Sequence, residues 1–169
     1  MNYCDLRPFD SNNGIGIGTT IFFSGCRFHC PNCFNKEAQD FNYGKEFTKN
    51  VEDKLINYAK NKHVNHISIL GGEPFHQDLD MLLNITKRIK KEVNKPIYIW
   101  TGFTWTALLQ DKKKMEILKY IDIITDGRFE INKKDVNLLF KGSSNQKTID
   151  VKKSLKQNKI IEYNWKGDV

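Results

Sequence analysis

His66-Ile67-Ser68-Ile69-Leu70-Gly71-Gly72-Glu73-Pro74 is a short apolar, β-branched run that stops abruptly at two glycines. A run of this length, closed by Gly-Gly and Pro, predicts a buried strand that ends in a turn. Upstream, Val51, Leu55, Tyr58 and Ala59 recur at helical spacing and predict an amphipathic helix over 49–61. Before that helix, Thr19-Thr20-Ile21-Phe22-Phe23-Ser24 reads as another strand. Downstream, Leu79, Leu82, Leu83, Ile89 and Val93 mark a helix, and Pro96 to Thr101 a strand. Trp105 to Leu118 reads as broadly helical, and Ile121-Asp122-Ile123-Ile124 as a strand. Thr148 to Val151 and Lys159 to Tyr163 are short strand candidates. Repeated strand–helix–strand units predict an α/β fold with parallel strands and right-handed crossovers.

In such folds, ligands sit beyond the carboxyl ends of the parallel strands. Four segments follow or end a predicted strand: Cys26 to Cys33, Gly71 to Pro74, Thr101-Gly102 and Asp126-Gly127-Arg128. They are expected to meet on one rim.

Cys26-Arg27-Phe28-His29-Cys30-Pro31-Asn32-Cys33 is a C-x3-C-x2-C run. Its three thiolates suit three irons of a [4Fe–4S] cluster and leave the fourth iron open for chemistry. The alternative is a zinc site completed by His29, His76 or Cys4. A zinc finger would also bring a second ligand pair at regular spacing, which the sequence lacks. At Gly71-Gly72-Glu73 the glycines permit close backbone approach. The free carbonyls and the Glu73 carboxylate can accept hydrogen bonds from a protonated amine. Taken alone, the same residues make an ordinary turn.

Gly14-Ile15-Gly16-Ile17-Gly18 precedes a strand and opens no helix, which excludes a dinucleotide-binding loop. It is read as a flexible loop or as a backbone platform beside the cluster. His63, His66 and His76 read as solvent-exposed or hydrogen-bonded residues, and Cys4 as a small apolar one.

The chain has 169 residues, too few for a complete eight-stranded α/β barrel of about 250, so a partial barrel or an open sheet is expected. No apolar run approaches the length of a membrane span, and the N-terminus does not read as a secretory signal. Clustered cysteines without a secretory marker favour a metal over disulfides. No linker or repeat divides the sequence. A single cytoplasmic domain over 1–169 is expected, with the tail from about residue 152 unassigned. The net charge of +7 comes largely from dispersed lysines such as Lys112-Lys113-Lys114, Lys133-Lys134 and Lys152-Lys153. These suit solvated surfaces or the steering of an acidic protein partner, and no nucleic acid is expected.

The cysteine run, with Gly71-Gly72-Glu73-Pro74 one strand–helix–strand unit later, resembles the radical S-adenosylmethionine superfamily. One difference is that Asn32 stands before the last cysteine, where that superfamily usually has an aromatic residue; Phe34 follows Cys33 instead. Ile99-Trp100-Thr101-Gly102-Phe103, Asp126 to Glu130 and Lys141 to Gln146 narrow the likeness to the activating proteins of anaerobic ribonucleotide reductases. Relatives of that kind often carry Asn-Gly-Pro-Gly and then Arg near the first strand. Here Asn13-Gly14-Ile15-Gly16 lacks the proline, and Thr19 or Thr20 stands where the basic residue is expected.

The resemblance implies a partial, open parallel β/α barrel of the radical S-adenosylmethionine type. It implies a [4Fe–4S] cluster on Cys26, Cys30 and Cys33. It implies S-adenosylmethionine held by Gly71, Gly72 and Glu73 at its methionine amine, flanked by Asn32, Cys33 and Phe34, with Thr101 on the same rim. The implied partners are the reductase large subunit, as protein substrate, and a low-potential electron donor such as flavodoxin or ferredoxin. No acid–base catalytic residue is expected, because the cofactor carries the hard chemistry. The alternatives are another small radical enzyme, such as a pyruvate formate-lyase activase or a 7-carboxy-7-deazaguanine synthase, and a zinc-stabilised nucleic-acid-binding module.

Overall fold

The computed structural model describes residues 1–165. Seven strands form one sheet in the order β3-β1-β2-β4-β5-β6-β7. They are β1 (Asn2–Asp10), β2 (Gly18–Phe23), β3 (Lys45–Glu46), β4 (His66–Gly71), β5 (Ile97–Trp100), β6 (Ile123–Asp126) and β7 (Lys147–Asp150). The helices are α1 (Lys49–Ala59), α2 (Leu79–Glu92), α3 (Trp105–Leu109), α4 (Lys112–Leu118) and α5 (Val151–Gln157). No helix among the described residues is long and apolar enough to cross a membrane.

The fold is mixed α/β. β2, β4, β5 and β6 run parallel to one another in this order, while β1, β3 and β7 pair antiparallel at the two sides. The strand β1 escapes a periodicity reading because Asp5, Arg7, Pro8 and Asp10 interrupt any apolar pattern. Pairing with β2 forms it instead.

Local polar chemistry explains the other departures. Asp111 breaks the expected helix over 105–118 into two, since its carboxylate accepts from the N–H groups of Lys113 and Lys114 (2.9 and 3.0 Å) and starts α4. Asp150 likewise caps α5 by accepting from the Lys153 N–H (2.9 Å), so Val151 opens a helix and does not extend the strand. Asp122 precedes β6 and accepts from the Ile97 N–H at 2.8 Å. The predicted strand over 159–163 reduces to one isolated pairing, Ile149 with Glu162.

Alternation along the strands gives the sheet two unlike faces. Ile21, Phe23, Ile67, Ile69, Ile97, Ile99, Ile124 and Ile149 are buried in the main core together with Leu55 and Ile56 of α1 and Leu82, Ile85 and Ile89 of α2. Each such burial stabilises by about 1.5–3 kcal/mol. The opposite face, here called the open face, carries Thr20, Phe22, Ser68, Leu70, Tyr98, Trp100 and Thr125, aligned by the pairings Thr20–Ser68, Ser68–Tyr98 and Trp100–Thr125.

The Gly14–Gly18 loop enters the amino end of β2, whereas the cysteines leave its carboxyl end, about 20 Å away along six residues. Its glycines pack against Asn65, His66 and Tyr98, and the Asn13 carbonyl accepts from Ser68 Oγ at 2.6 Å. The loop is therefore no platform beside the cysteines. It clasps the far end of the open face.

Candidate active site

The carboxyl ends of β2, β4, β5 and β6 bring the four expected segments together. Cys26, Cys30 and Cys33 line a small cavity of about 160 Å³ with Gly71, Gly72, Glu73, Thr101 and Gly102. A wider cavity of about 500 Å³ adjoins it and shares Cys33, Gly71 and Trp100. Asn32 and Phe34 line only this wider space, and the Phe34 ring is fully exposed.

Backbone bonds tie the cysteine loop to the Gly71–Pro74 turn. The Gly72 N–H donates to the Phe23 carbonyl (2.7 Å), and the Glu73 N–H donates to that of Gly25 (2.9 Å). Gly71 has φ +116°, a conformation only glycine takes easily. A Cβ on Gly72 would strike the carbonyl oxygens of Ala38 and Gly25. The close approach expected at Gly72 is thus made to the cysteine loop itself. Gln77, which the sequence reading passed over, completes this junction: its buried amide donates to the carbonyls of Gly25 and Glu73, both at 3.0 Å. No spacing signal marked it, because its function depends on a turn of β4 meeting a turn of β2.

Glu73 is buried, and its carboxylate accepts from three donors: the Phe75 N–H (3.0 Å), Thr101 Oγ (2.8 Å) and the Gly102 N–H (2.7 Å). Burial pushes its pKa up to about 7 against the pull of those hydrogen bonds. The side chain thus joins the rim of β4 to that of β5. Thr101 in turn accepts from the Phe103 N–H at 3.1 Å.

The segment Gly142 to Gln146 serves the next loop. Gln146 donates to the Gly127 carbonyl (2.8 Å), Asn145 to that of Arg128 (2.8 Å), and Ser143 Oγ accepts from the Glu130 N–H (3.2 Å). These bonds hold Gly127 to Glu130 against the small cavity, with the Arg128 guanidinium 4.3 Å from the Phe28 ring centroid. Arg128 lines that cavity, as expected of the Asp126-Gly127-Arg128 segment on this rim.

Burial pushes the Cys26 thiol up to about 11, assisted by the charges of Glu73, Cys30 and Cys33. Cys30 is raised by burial and by Cys33, against the Phe129 N–H and Arg128. With Cys26 and Cys30 both resisting ionisation alone, the crowded thiols are a donor set awaiting a cation, because metal binding supplies the missing positive charge. Among the described residues, no three His, Cys, Asp or Glu side chains converge tightly enough for a single ion. A four-iron cluster takes one thiolate per iron, so the loop's wider spread fits it. The other candidate ligands are engaged elsewhere. His29 pairs with Gln39 (3.2 Å), His76 Nδ1 accepts from the Arg27 N–H (3.1 Å), and Cys4 Sγ donates to the Phe22 carbonyl (3.4 Å).

A cysteine loop on the carboxyl rim of an α/β sheet defines the class, and residues 12–149 match the family described as a 4Fe-4S single cluster domain. Within that class, the chain belongs to the family of anaerobic ribonucleoside-triphosphate reductase-activating proteins. It is 38% identical over 150 residues to the activating protein of Escherichia coli (strain K12), covering 86% of this chain and 96% of the relative. Identity to that of Pasteurella multocida (strain Pm70) is 37%, covering 86% and 95%. The activating protein of Enterobacteria phage T4 is 32% identical over 149 residues, covering 87% and 92%.

Proposed function

We propose that this protein is a radical S-adenosylmethionine activase that places a glycyl radical on the large subunit of the anaerobic ribonucleotide reductase. Its family carries that role, and the single observation that supports it in this chain is the meeting of three thiols and the Gly71–Glu73 turn beside an open, largely apolar cavity.

Cys26, Cys30 and Cys33 would hold a [4Fe–4S] cluster. When bound, the cluster and S-adenosylmethionine together supply a 5′-deoxyadenosyl radical able to take a Cα hydrogen from glycine. The chain's own residues do the holding. Gly71 and Gly72 present backbone to the methionine amine. Glu73 acts from behind, since its carboxylate fixes Thr101 and Gly102 on the same rim. Asn32, Cys33 and Phe34 flank the cofactor at the junction with the wider cavity, which would receive the reductase's glycine segment. The apolar wall of Phe22, Leu70 and Trp100 would exclude water from the reacting atoms.

The four parallel strands fit the open, partial barrel of the radical S-adenosylmethionine type, as one domain over 1–169. A cytoplasmic setting supplies a low-potential donor such as flavodoxin or ferredoxin, and the basic surface suits an acidic donor of that kind.

The test is direct. Reconstituted, reduced protein is mixed with S-adenosylmethionine and the reductase large subunit from the same genome. A glycyl radical signal by electron paramagnetic resonance is expected, with deuterium from the glycine Cα recovered in 5′-deoxyadenosine. Cofactor cleavage with turnover of a small pterin-derived substrate and no glycyl signal would overturn the reading.

A further inference from the structure

The family match ends at residue 149, yet the chain continues and turns back over the open face of the sheet. After α5, Asn158 adopts a left-handed conformation (φ 51°) and reverses the chain. The Ile161 N–H then donates to Ser154 Oγ (2.9 Å), and the Tyr163 N–H donates to the Thr148 carbonyl (2.8 Å). These bonds deliver Trp165 onto Tyr98, with ring centroids 5.4 Å apart and an edge-on geometry. Trp165 is 7% exposed and belongs to a separate cluster with Tyr98 and Ile123, away from the main core.

The indole also meets Tyr163 (5.1 Å between centroids), donates to Thr148 Oγ (3.4 Å), and packs edge-on against Phe140 at 4.7 Å. Phe140 has φ +54°, and its carbonyl accepts from the Trp100 indole N–H at 2.5 Å. Phe140 and Trp100 both line the wider cavity, and Trp100 also lines the thiol-bearing one. A tail beyond the family match therefore backs a wall that two active-site cavities share. Remove the indole, and Phe140 loses the ring behind it while Tyr98 and Ile123 lose their cover. The cavity would deepen away from the thiols.

We propose that Trp165 is a positioning residue that closes the floor of the wider cavity, acting through Phe140 and Trp100, and so sets how deeply a peptide segment of the reductase enters beside the thiols. This rests on the activase reading. Hydrogen abstraction depends on placement, and a misplacement of about 1 Å can cost about a hundredfold in rate. The floor therefore governs how often cofactor cleavage ends in a substrate radical.

The experiment uses the full-length, reconstituted protein as parent, Trp165→Ala, Trp165→Leu and Trp165→Phe. Glycyl radicals formed are divided by S-adenosylmethionine cleaved, and affinity for the reductase large subunit is measured without cofactor by calorimetry. Trp165→Ala is expected to lower the radical ratio about tenfold or more and weaken reductase binding, while the cluster spectrum still responds to S-adenosylmethionine. Trp165→Phe restores most of the ratio by keeping a ring against Phe140. Trp165→Leu keeps apolar cover, so it guards against simple misfolding, and it must also lower the ratio. An unchanged ratio in either the Ala or the Leu variant overturns the proposal, as does loss of iron and cofactor response in parallel with the radical. A parent that cleaves cofactor yet leaves no radical on the reductase instead defeats the activase reading itself.

Discussion

The two faces of the sheet are built from the same strands one residue out of step, yet they do opposite work. On the helix-covered face, Ile67, Ile69, Ile97, Ile99 and Ile124 lie within 1% of complete burial, packed aliphatic against aliphatic. On the open face, the adjacent residues Ser68, Tyr98, Trp100 and Thr125 are polar or aromatic, Leu70 is the one aliphatic among them, and Leu70 and Trp100 are only partly buried. The covered face supplies stability through water exclusion. The open face leaves surface uncovered beside the thiols, where stability is given up for access. A strand slipped by one residue would exchange the two sets and destroy both functions.

The largest expected effect separates site from scaffold outright. Cys26→Ala, Cys30→Ala and Cys33→Ala should each abolish retention of the cluster, whereas Cys4→Ala, whose thiol is engaged with the Phe22 carbonyl, should keep it. Iron and sulfide per chain after anaerobic reconstitution decide this. Retention in Cys33→Ala with loss in Cys4→Ala would break the assignment.

Gly72→Val comes next. A reading from the sequence alone would have it weaken S-adenosylmethionine binding and spare the cluster. The structure alters that expectation, because a side chain there meets the backbone of Gly25 and Ala38 beside Cys26. Both iron content and cofactor response should fall together, and a variant with full iron but no cofactor response would restore the simpler view.

The comparison of faces is sharpest at neighbouring residues. Ile69→Ala should cost about 2–5 kcal/mol, because it leaves a cavity in a fully buried layer. Leu70→Ala, one residue on and facing the wider cavity, should cost about 1 kcal/mol and weaken reductase binding instead. Urea unfolding of the two variants, read against affinity for the reductase, tests the division. Equal losses of stability would erase it.

The smallest effect is a slope in pH. Glu73, at about 7 in the folded protein against 4.5 ordinarily, holds a proton that the unfolded chain releases. Its contribution to stability is fully present below about pH 4.5 and is lost as pH rises through about 7. His76 works the other way. Burial, then the charges of Arg27, Lys114 and Arg128, lower its pKa to about 4, so its contribution is present above 6.5 and lost as pH falls toward 4. The two oppose each other in the parent. Glu73→Gln should therefore lose stability relative to the parent as pH falls from 7 to 5, by up to about 1.4 kcal/mol per pH unit. Parallel stability curves for parent and variant would show that Glu73 does not titrate in this range.

Much of the site was legible because its chemistry is written locally. Three cysteines in eight residues, and two glycines ending an apolar run, are short-range patterns. Strand alternation with helices then predicts that they share a rim. The partners of Glu73 are not legible in the same way, since its backbone and hydroxyl donors come from residues up to 29 positions away. Gln77 escapes the sequence for a related reason: it belongs to no spaced set and gains its role only when a distant loop arrives, whereas the Asp126-Gly127-Arg128 segment is legible as part of the rim.

By itself, the sequence determined the succession β2, α1, β4, α2, β5 and β6, the clustering of three cysteines after β2 and the turn at Gly71-Gly72, because periodicity and backbone sterics act within a few residues. Tertiary structure alone decided the antiparallel flanks β1 and β7, which local pattern does not specify and which form by pairing with strands already in place. It alone carried the Gly14 loop to the far end of β2 and folded the tail so that Trp165 lies over Tyr98. Burial of an indole against residues 25 and 67 positions away is a gain in the hydrophobic free energy of the whole chain, and no window of neighbouring residues contains it.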